Sequence, residues 1–340
     1  MAVTDEKFET TEDILEENSK ADPVGTTFSL MLQNKGLAQF GKVDGEMLSG
    51  NYDAESEVAS GTFGDVTVTL TGVDPKKFKV STHKLLDVLL ILFTQNTTYG
   101  ADEPETQVSF AIDEYLRFTN TPVTKSSRDK KRTQLNLDLD ILYSLSLDYE
   151  TPDKQKVRRE RICTDYQIIN SQVVFTFNSS LARTLVKSYF TALPTSLLAL
   201  PNNNQNAYYI GKKLAEHSTN RSNRAADRHN ILSVKKILEA CPSIPTIEEA
   251  RGTNRNFTAR IKNPFVKALD ILKDLNIVDW HFCNAQKVPL TDEQKENFDF
   301  RTFMNSYVYF ELLENKDGEL KVFVPNSPKK RKPKKNSERA

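Results

Sequence analysis

Apolar positions first become regular at residues 66–70, where Val66, Val68 and Leu70 alternate with threonines and predict a strand with one buried face. A helical period follows, with Leu85, Val88, Leu89, Leu92 and Phe93 on one face and Ser81 placed to cap the start. Ile112–Phe118 predicts a short second helix, and a third is expected from Lys125 to about Tyr143, started by Ser126 or Ser127 after Pro122. Residues 135–141 also alternate, which suits a strand equally well, and the length of the run through Leu142 favours the helix. Leu145, Leu147 and Tyr149 alternate as a strand. Residues 161–169 and Gln172–Phe177 then flank Asn170-Ser171 as a hairpin, and a connecting helix is expected over 179–189.

The polar break at 201–206 divides the chain, and beyond it the same order of elements recurs without visible identity. Helices are expected over 207–217, over 231–240 with Ser233 near its start, and over 257–275. Strands follow at 277–283 and 307–313, with Asp317-Gly318 turning the chain back into 319–324. Pro264 fits best at the first position of its helix, after Asn263 as cap, leaving Phe265, Leu269, Leu272 and Leu275 as the buried stripe. Residues 1–60 show no sustained period apart from 27–32 and are expected to be largely disordered.

Helix, helix, helix, hairpin is the winged-helix order, in which the third helix enters the major groove and the hairpin touches the backbone. The expected fold class is therefore α+β: an acidic arm over 1–60, a winged helix with linker helix over 61–200, a second over 201–325, and a basic tail over 326–340. Charge sharpens this reading. The 340 residues hold 46 Lys plus Arg and 46 Asp plus Glu, so net charge gives no bulk attraction to nucleic acid. Thirteen of those acids but only four bases fall in residues 1–60, leaving the remainder at plus nine.

The bases gather where a winged helix would meet a duplex. The first unit offers Lys125, Arg128, Lys130, Lys131 and Arg132 on its third helix, then Lys154, Lys156, Arg158, Arg159 and Arg161 before the second wing strand. The second offers Arg221, Arg224 and Arg228, then Arg251, Arg255, Arg260 and Lys262. Asn223, Asn254, Asn256, Thr258 and Asn263 lie among them as candidate readers of base edges, while the cations attract phosphate regardless of sequence. A solvated, loop-rich basic face is the plainer alternative. The tail 328–335 reads as a nuclear import signal or as a DNA-gripping arm.

Catalytic chemistry finds little footing. His83, His217, His229 and His281 form no HxH or HExxH pattern, Gly211-Lys212-Lys213 lacks the remainder of a phosphate-binding loop, and Asp138 and Asp140 are spaced to opposite sides of a helix. No enzyme, cofactor or metal is expected. Trp280 and Tyr208-Tyr209 read as core. Cys163, Cys241 and Cys283 form no CxxC pair, and the longest apolar run, 85–93, is too short for a bilayer of about 30 Å, so a soluble cytoplasmic protein is expected.

Between about Lys79 and Leu313 the chain resembles the replication initiator proteins of theta-replicating plasmids and related mobile elements, which carry two winged helices in tandem. The resemblance lies in residues 84–90, Asp113-Glu114-Tyr115-Leu116 and 169–178 of the first unit, and in 207–214, 265–276 and 277–282 of the second. It implies binding to repeated origin sequences in double-stranded DNA, a homodimer formed largely through the first unit, and recruitment of host replication proteins. It places the readers over 125–134, adding Ser127 and Gln134, and over 256–267, adding Lys267. Pro264, the insertion between Phe282 and Tyr307, and the acidic arm depart from the pattern. A transcriptional regulator would use the same contacts, and an interaction scaffold in which the arm covers the basic face is a further possibility.

Overall fold

The computed structural model describes residues 28–150, 157–245 and 256–313. Folded structure begins well inside the expected arm. Strand β1 (Phe28–Gln33) is followed by two short helices, α1 (Lys35–Phe40) and α2 (Gly45–Ser49), capped by the side chains of Asn34 and Asp44. Strands β2 (Tyr52–Asp53), β3 (Val58–Phe63) and β4 (Val66–Thr71) come next. Expected disorder over 28–60 is thus corrected. Asp44 caps a helix and Glu55 and Glu57 sit in a turn, while Met31, Leu37, Phe40, Val43 and Leu48 are buried, a pattern too scattered in sequence to show one period.

Helix α3 (Val80–Asn96) carries the first unit's core, and every residue from Val80 to Thr94 is buried. The amphipathic expectation saw only one face because the chain folds around all of them. Ser81 does not cap this helix: Lys79 occupies that position without a side-chain bond, and the Ser81 hydroxyl is turned inward. Strand β5 (Gln107–Ala111) leads into α4 (Ile112–Phe118), whose start is closed by the Glu114 carboxylate accepting the Ala111 N–H at 2.8 Å. The third helix, α5, spans Lys125–Ser144 and settles the alternation at 135–141 in favour of helix. Thr124, not Ser126 or Ser127, caps it, with Ser127 answering three residues later as the other half of a capping box.

Strands β6 (Leu145–Glu150) and β7 (Val157–Arg161) leave the unit to extend an antiparallel sheet of order β2-β3-β4-β6-β7. Its inner face is apolar, with Val68 opposite Leu147 and Leu70 opposite Leu145. Strands β8 (Cys163–Ile169) and β9 (Gln172–Phe177) form the expected hairpin. Both turn residues, Asn170 and Ser171, adopt positive φ (49° and 63°), the two-residue turn whose twist matches that of the strands. The connecting helix α6 (Ser179–Leu185) stops short, and residues expected to continue towards 189 give way to strand β10 (Tyr189–Pro194), which pairs antiparallel with β1 from Phe28↔Pro194 to Gln33↔Tyr189. A partner strand from the start of the chain overrides local helical preference here.

Two short turns at Thr195–Leu197 and Asn202–Asn204 carry the chain into the second unit. Helix α7 (Gln205–Thr219) is followed by α8 (Arg221–Ala225), strand β11 (Ile231–Ser233) and helix α9 (Val234–Leu238), so the expected helix over 231–240 divides into a strand and a helix capped by Ser233. The third helix begins with a π turn, Thr258–Lys262, that runs unbroken into α10 (Asn263–Asp274). Pro264 explains the turn: its missing N–H and its ring are incompatible with a regular α turn, and the wider turn, with the Asn263 N–H reaching back five residues to the Thr258 carbonyl, accommodates it. Asn263 is therefore a helical residue and not the cap.

Strand β12 (Val278–Cys283), short helices α11 (Asp292–Glu296) and α12 (Phe300–Asn305), and strand β13 (Tyr307–Leu312) complete the described chain. The expected strand at 319–324 and the tail lie outside the described residues. In the first unit the elements run α3, β5, α4, α5, β8, β9 with sheet order β5-β9-β8. In the second, setting aside α8 after α7 and α11 and α12 before the last strand, they run α7, β11, α9, α10, β12, β13 with sheet order β11-β13-β12. Both are helix, strand, helix, helix, strand, strand, with the last strand in the middle of the sheet.

Candidate nucleic-acid interface

In the first unit, α5 projects its first turns outward. Lys125, Lys130 and Arg132 are exposed, and among the described residues no hydrogen bond or ion pair engages their charges. Arg128 is different. Its guanidinium grips Asp113 on α4 through Nε–Oδ1 (2.6 Å) and Nη2–Oδ2 (2.7 Å), a bidentate pair that holds the Asp113 carboxyl below the usual carboxylate range. Lys131 lies over the Tyr115 ring at 5.2 Å, and burial lowers its pKa. Ser127 is engaged in the helix cap. Gln134 points inward, donating to the Ser81 hydroxyl (3.1 Å) and to Asp138 (3.2 Å).

Asp138 is the centre of that buried group. It also accepts from Ser81 (2.9 Å) and Thr82 (2.7 Å), and burial raises its pKa above the ordinary carboxylate value. Asp140, two residues on, faces elsewhere and accepts from the Tyr166 hydroxyl. The network bonds the third helix to the first, so the position of α5 is fixed from within the core. The bases expected before the second wing strand are not on the hairpin: Arg161 is exposed at the end of β7, in the β2-β3-β4-β6-β7 sheet, while Lys154 and Lys156 and the side chains of Arg158 and Arg159 lie outside the described residues.

In the second unit, Asn256, Thr258, Arg260, Asn263 and Lys267 are exposed along the π turn and the start of α10. Intervals of four, three and four between Asn256, Arg260, Asn263 and Lys267 give one outward stripe. The inner side is held by the 292–303 insertion: Phe257 packs edge-on against Phe300 and Phe303, and Phe265 against Phe303. Lys262 turns to this side too, donating to the Lys295 carbonyl (3.1 Å) and lying over Phe298 at 5.3 Å. Arg251, Asn254 and Arg255 lie outside the described residues.

Arg221, Arg224 and Arg228 gather elsewhere in the unit, at the end of α7. Arg224 donates to the Ser218 carbonyl (2.9 Å) and lines a cleft of about 370 Å³ with Phe28, Ala192, His229 and Phe310. The Arg228 carbonyl accepts from His217 (2.7 Å), while Arg221 and the Arg228 side chain are exposed. Asn223 is occupied by His217, reaching its ring and its carbonyl at 3.0 Å each.

Sequence reasoning missed a group between the units. Asp87, an interruption in the apolar run of α3, accepts from the Tyr208 hydroxyl (2.6 Å) and from Lys212 Nζ (2.5 Å), both on α7. The signal was present: a carboxylate amid leucines requires a buried partner. In the sequence Lys212 stands only in the incomplete phosphate-loop pattern Gly211-Lys212-Lys213. The three cysteines are buried and free, with burial pushing Cys163 up to about 12 and Cys283 up to about 11. Among the described residues no helix is long and apolar enough to cross a membrane.

No protein-family model matches the chain, and no curated protein matches it. Solved structures do. The chain is similar to domains 2 and 3 of RctB. A crystal structure of selenomethionine derivatives of RctB domain 2 and domain 3 superposes with a TM-score of 0.45 at 8% identity, covering 82% of this chain and 98% of that one. A second, of RctB domains 2–3, gives 0.36 at 9% identity, covering 77% and 89%.

Proposed function

We propose that this chain binds double-stranded DNA sequence-specifically through two tandem winged-helix units and acts as a replication initiator of a plasmid or mobile element. The carrying observation is the repeat: the same six elements and the same sheet order occur twice, and each time the third helix turns polar and cationic side chains outward. In the first unit Lys125, Lys130 and Arg132 are the outward cations, able to contact phosphate and, as Lys or Arg, the guanine edge. In the second, Asn256, Thr258, Arg260, Asn263 and Lys267 combine phosphate contacts with groups able to read base edges. Repeated origin sites, a homodimer and host replication proteins as partners belong to the same reading.

Selection from random duplexes followed by sequencing tests it. A recovered motif with two spaced half-sites is the expected result, and equal affinity for random duplex at physiological salt would overturn it. Initiation is separated from transcriptional regulation by asking whether the chain, supplied with the recovered sites, sustains a plasmid lacking its own initiator.

A further inference from the structure

The two units meet through charge. Asp87 is fully buried at the middle of α3, and its two oxygens are divided between Tyr208 and Lys212, four residues apart and hence on one side of α7. The Lys212 side chain is itself 9% exposed. One turn before Asp87, Lys84 reaches the chain that joins the units, donating to the Leu200 carbonyl and to Asn202 Oδ1 (3.2 Å), with its ammonium 5.5 Å from the centre of the Tyr208 ring. Gly211 lies against the same connection: a Cβ there would stand 2.4 Å from Leu197 Cδ2, so a larger residue would push the Leu197 side chain aside.

An apolar interface tolerates sliding or rotation with gradual loss, but this one does not. Displacing α7 by one turn would leave a buried carboxylate and a buried ammonium apart, the costliest state available to either. Both ends also touch the third helices, one through hydrogen bonds and the other through packing. Ser81 and Thr82 on α3 hold Asp138 of α5, and Gly211 on α7 meets Leu272 of α10. The run α5, Asp138, α3, Asp87, Lys212, α7, α10 is thus continuous from one candidate reading helix to the other.

We propose that Asp87, Lys212 and Tyr208 are positioning residues that set the half-site spacing this protein accepts. The inference rests on the reading of the two units as DNA-binding modules. One base pair added between half-sites moves and rotates the second site relative to the first, so a rigid pair of helices matches one spacing.

The test uses the full chain and duplexes bearing the selected half-sites at their native spacing and with one, two or three base pairs added or removed. Wild type is expected to lose about tenfold or more in affinity for each altered spacing, comparable to a mismatched base pair. Lys212→Met, the charge-free Asp87→Asn/Lys212→Met pair and Tyr208→Phe are each expected to bind an isolated half-site as wild type does, yet to shrink the spacing penalty to about threefold or less. Distances between spectroscopic labels on the exposed faces of α5 and α10, measured without DNA, should broaden in the variants. Folded variants that retain the wild-type penalty and a sharp label distance overturn the inference. Wild-type binding with no sequence preference would instead remove the DNA reading, and the label distances would still decide whether the charge pair fixes the two units.

Discussion

The third helices of the two units carry comparable clusters of cations in sequence, yet the fold uses them differently. On α5, Arg128 is tied to Asp113, Lys131 rests on Tyr115 and Gln134 is drawn into the core, so outward charge is left to Lys125, Lys130 and Arg132. On the π turn and α10, one side faces the insertion and the other keeps Asn256, Arg260, Asn263 and Lys267 exposed. The difference teaches that a basic run is not yet an interface: acids and rings on the neighbouring helix decide which cations remain for an outside partner. Under the proposed function both units read sequence, the first through cations alone and the second through cations together with neutral polar side chains.

The largest expected effects test the cores beneath the two helices. α3 is buried on all sides, so Leu89→Ala and Ile91→Ala, on opposite faces, should each cost about 2–5 kcal/mol of unfolding free energy in denaturant titrations. Lys213→Ala on the half-exposed side of α7 should cost less than about 1 kcal/mol. A harmless Ile91→Ala would contradict the all-round burial of α3.

On DNA, Arg260→Ala should lower affinity for the selected duplex by about 1–3 kcal/mol and relax preference at one position. Arg128→Ala should leave affinity unchanged, because its guanidinium is already engaged by Asp113. Equal losses in a titration would erase the distinction between a guanidinium held by a neighbouring carboxylate and one on the outward stripe.

Acid offers a third comparison. His83, buried among Phe40, Phe78 and Tyr209 and donating to the Val43 carbonyl (2.7 Å), is held neutral, its pKa lowered by burial to about 3. The folded state therefore binds fewer protons than the unfolded one below the ordinary value near 6.5. This contribution is complete above that pH and is lost as pH falls towards 3, at up to about 1.4 kcal/mol per pH unit. Asp138, raised by burial, acts in the opposite sense at the lower end. His217 of the second unit is shifted in the same direction by burial while remaining half-exposed. His83→Gln should flatten the stability profile between pH 6.5 and 4 more than His217→Gln does; the reverse order would place the buried histidine in the wrong unit.

The smallest effect is expected from Lys267→Ala, which should weaken binding uniformly across sequences and reduce the salt slope by about one. A change in sequence preference would instead make Lys267 a reader.

What the sequence showed follows from how local each feature is. The bounds of α4, the extent of α5 and the Asn170-Ser171 hairpin were legible because periodicity and turn chemistry act within a few residues. Helices α7, α9 and α10 of the second half were placed by the same local signals, but the strands β5 and β11 were not expected. Hidden features depended on distant partners: β10 is a strand because β1 lies beside it, Ser81 turns inward because Asp138 waits there, and Lys262 leaves the outward stripe because Lys295 and Phe298 come from the insertion. Pro264 announced a break, and the chain answers it with a π turn rather than a cap, so that Phe257 and Ile261 stay packed inside.

The pairing of Phe28 with Pro194 has a consequence for how the molecule is made. During synthesis β1 leaves the ribosome early, and its mate follows about 160 residues later, some 10–30 s at ordinary rates of translation. Until then β1 lacks its only partner strand, and neither a fragment starting after β1 nor one ending before β10 contains the two-stranded sheet.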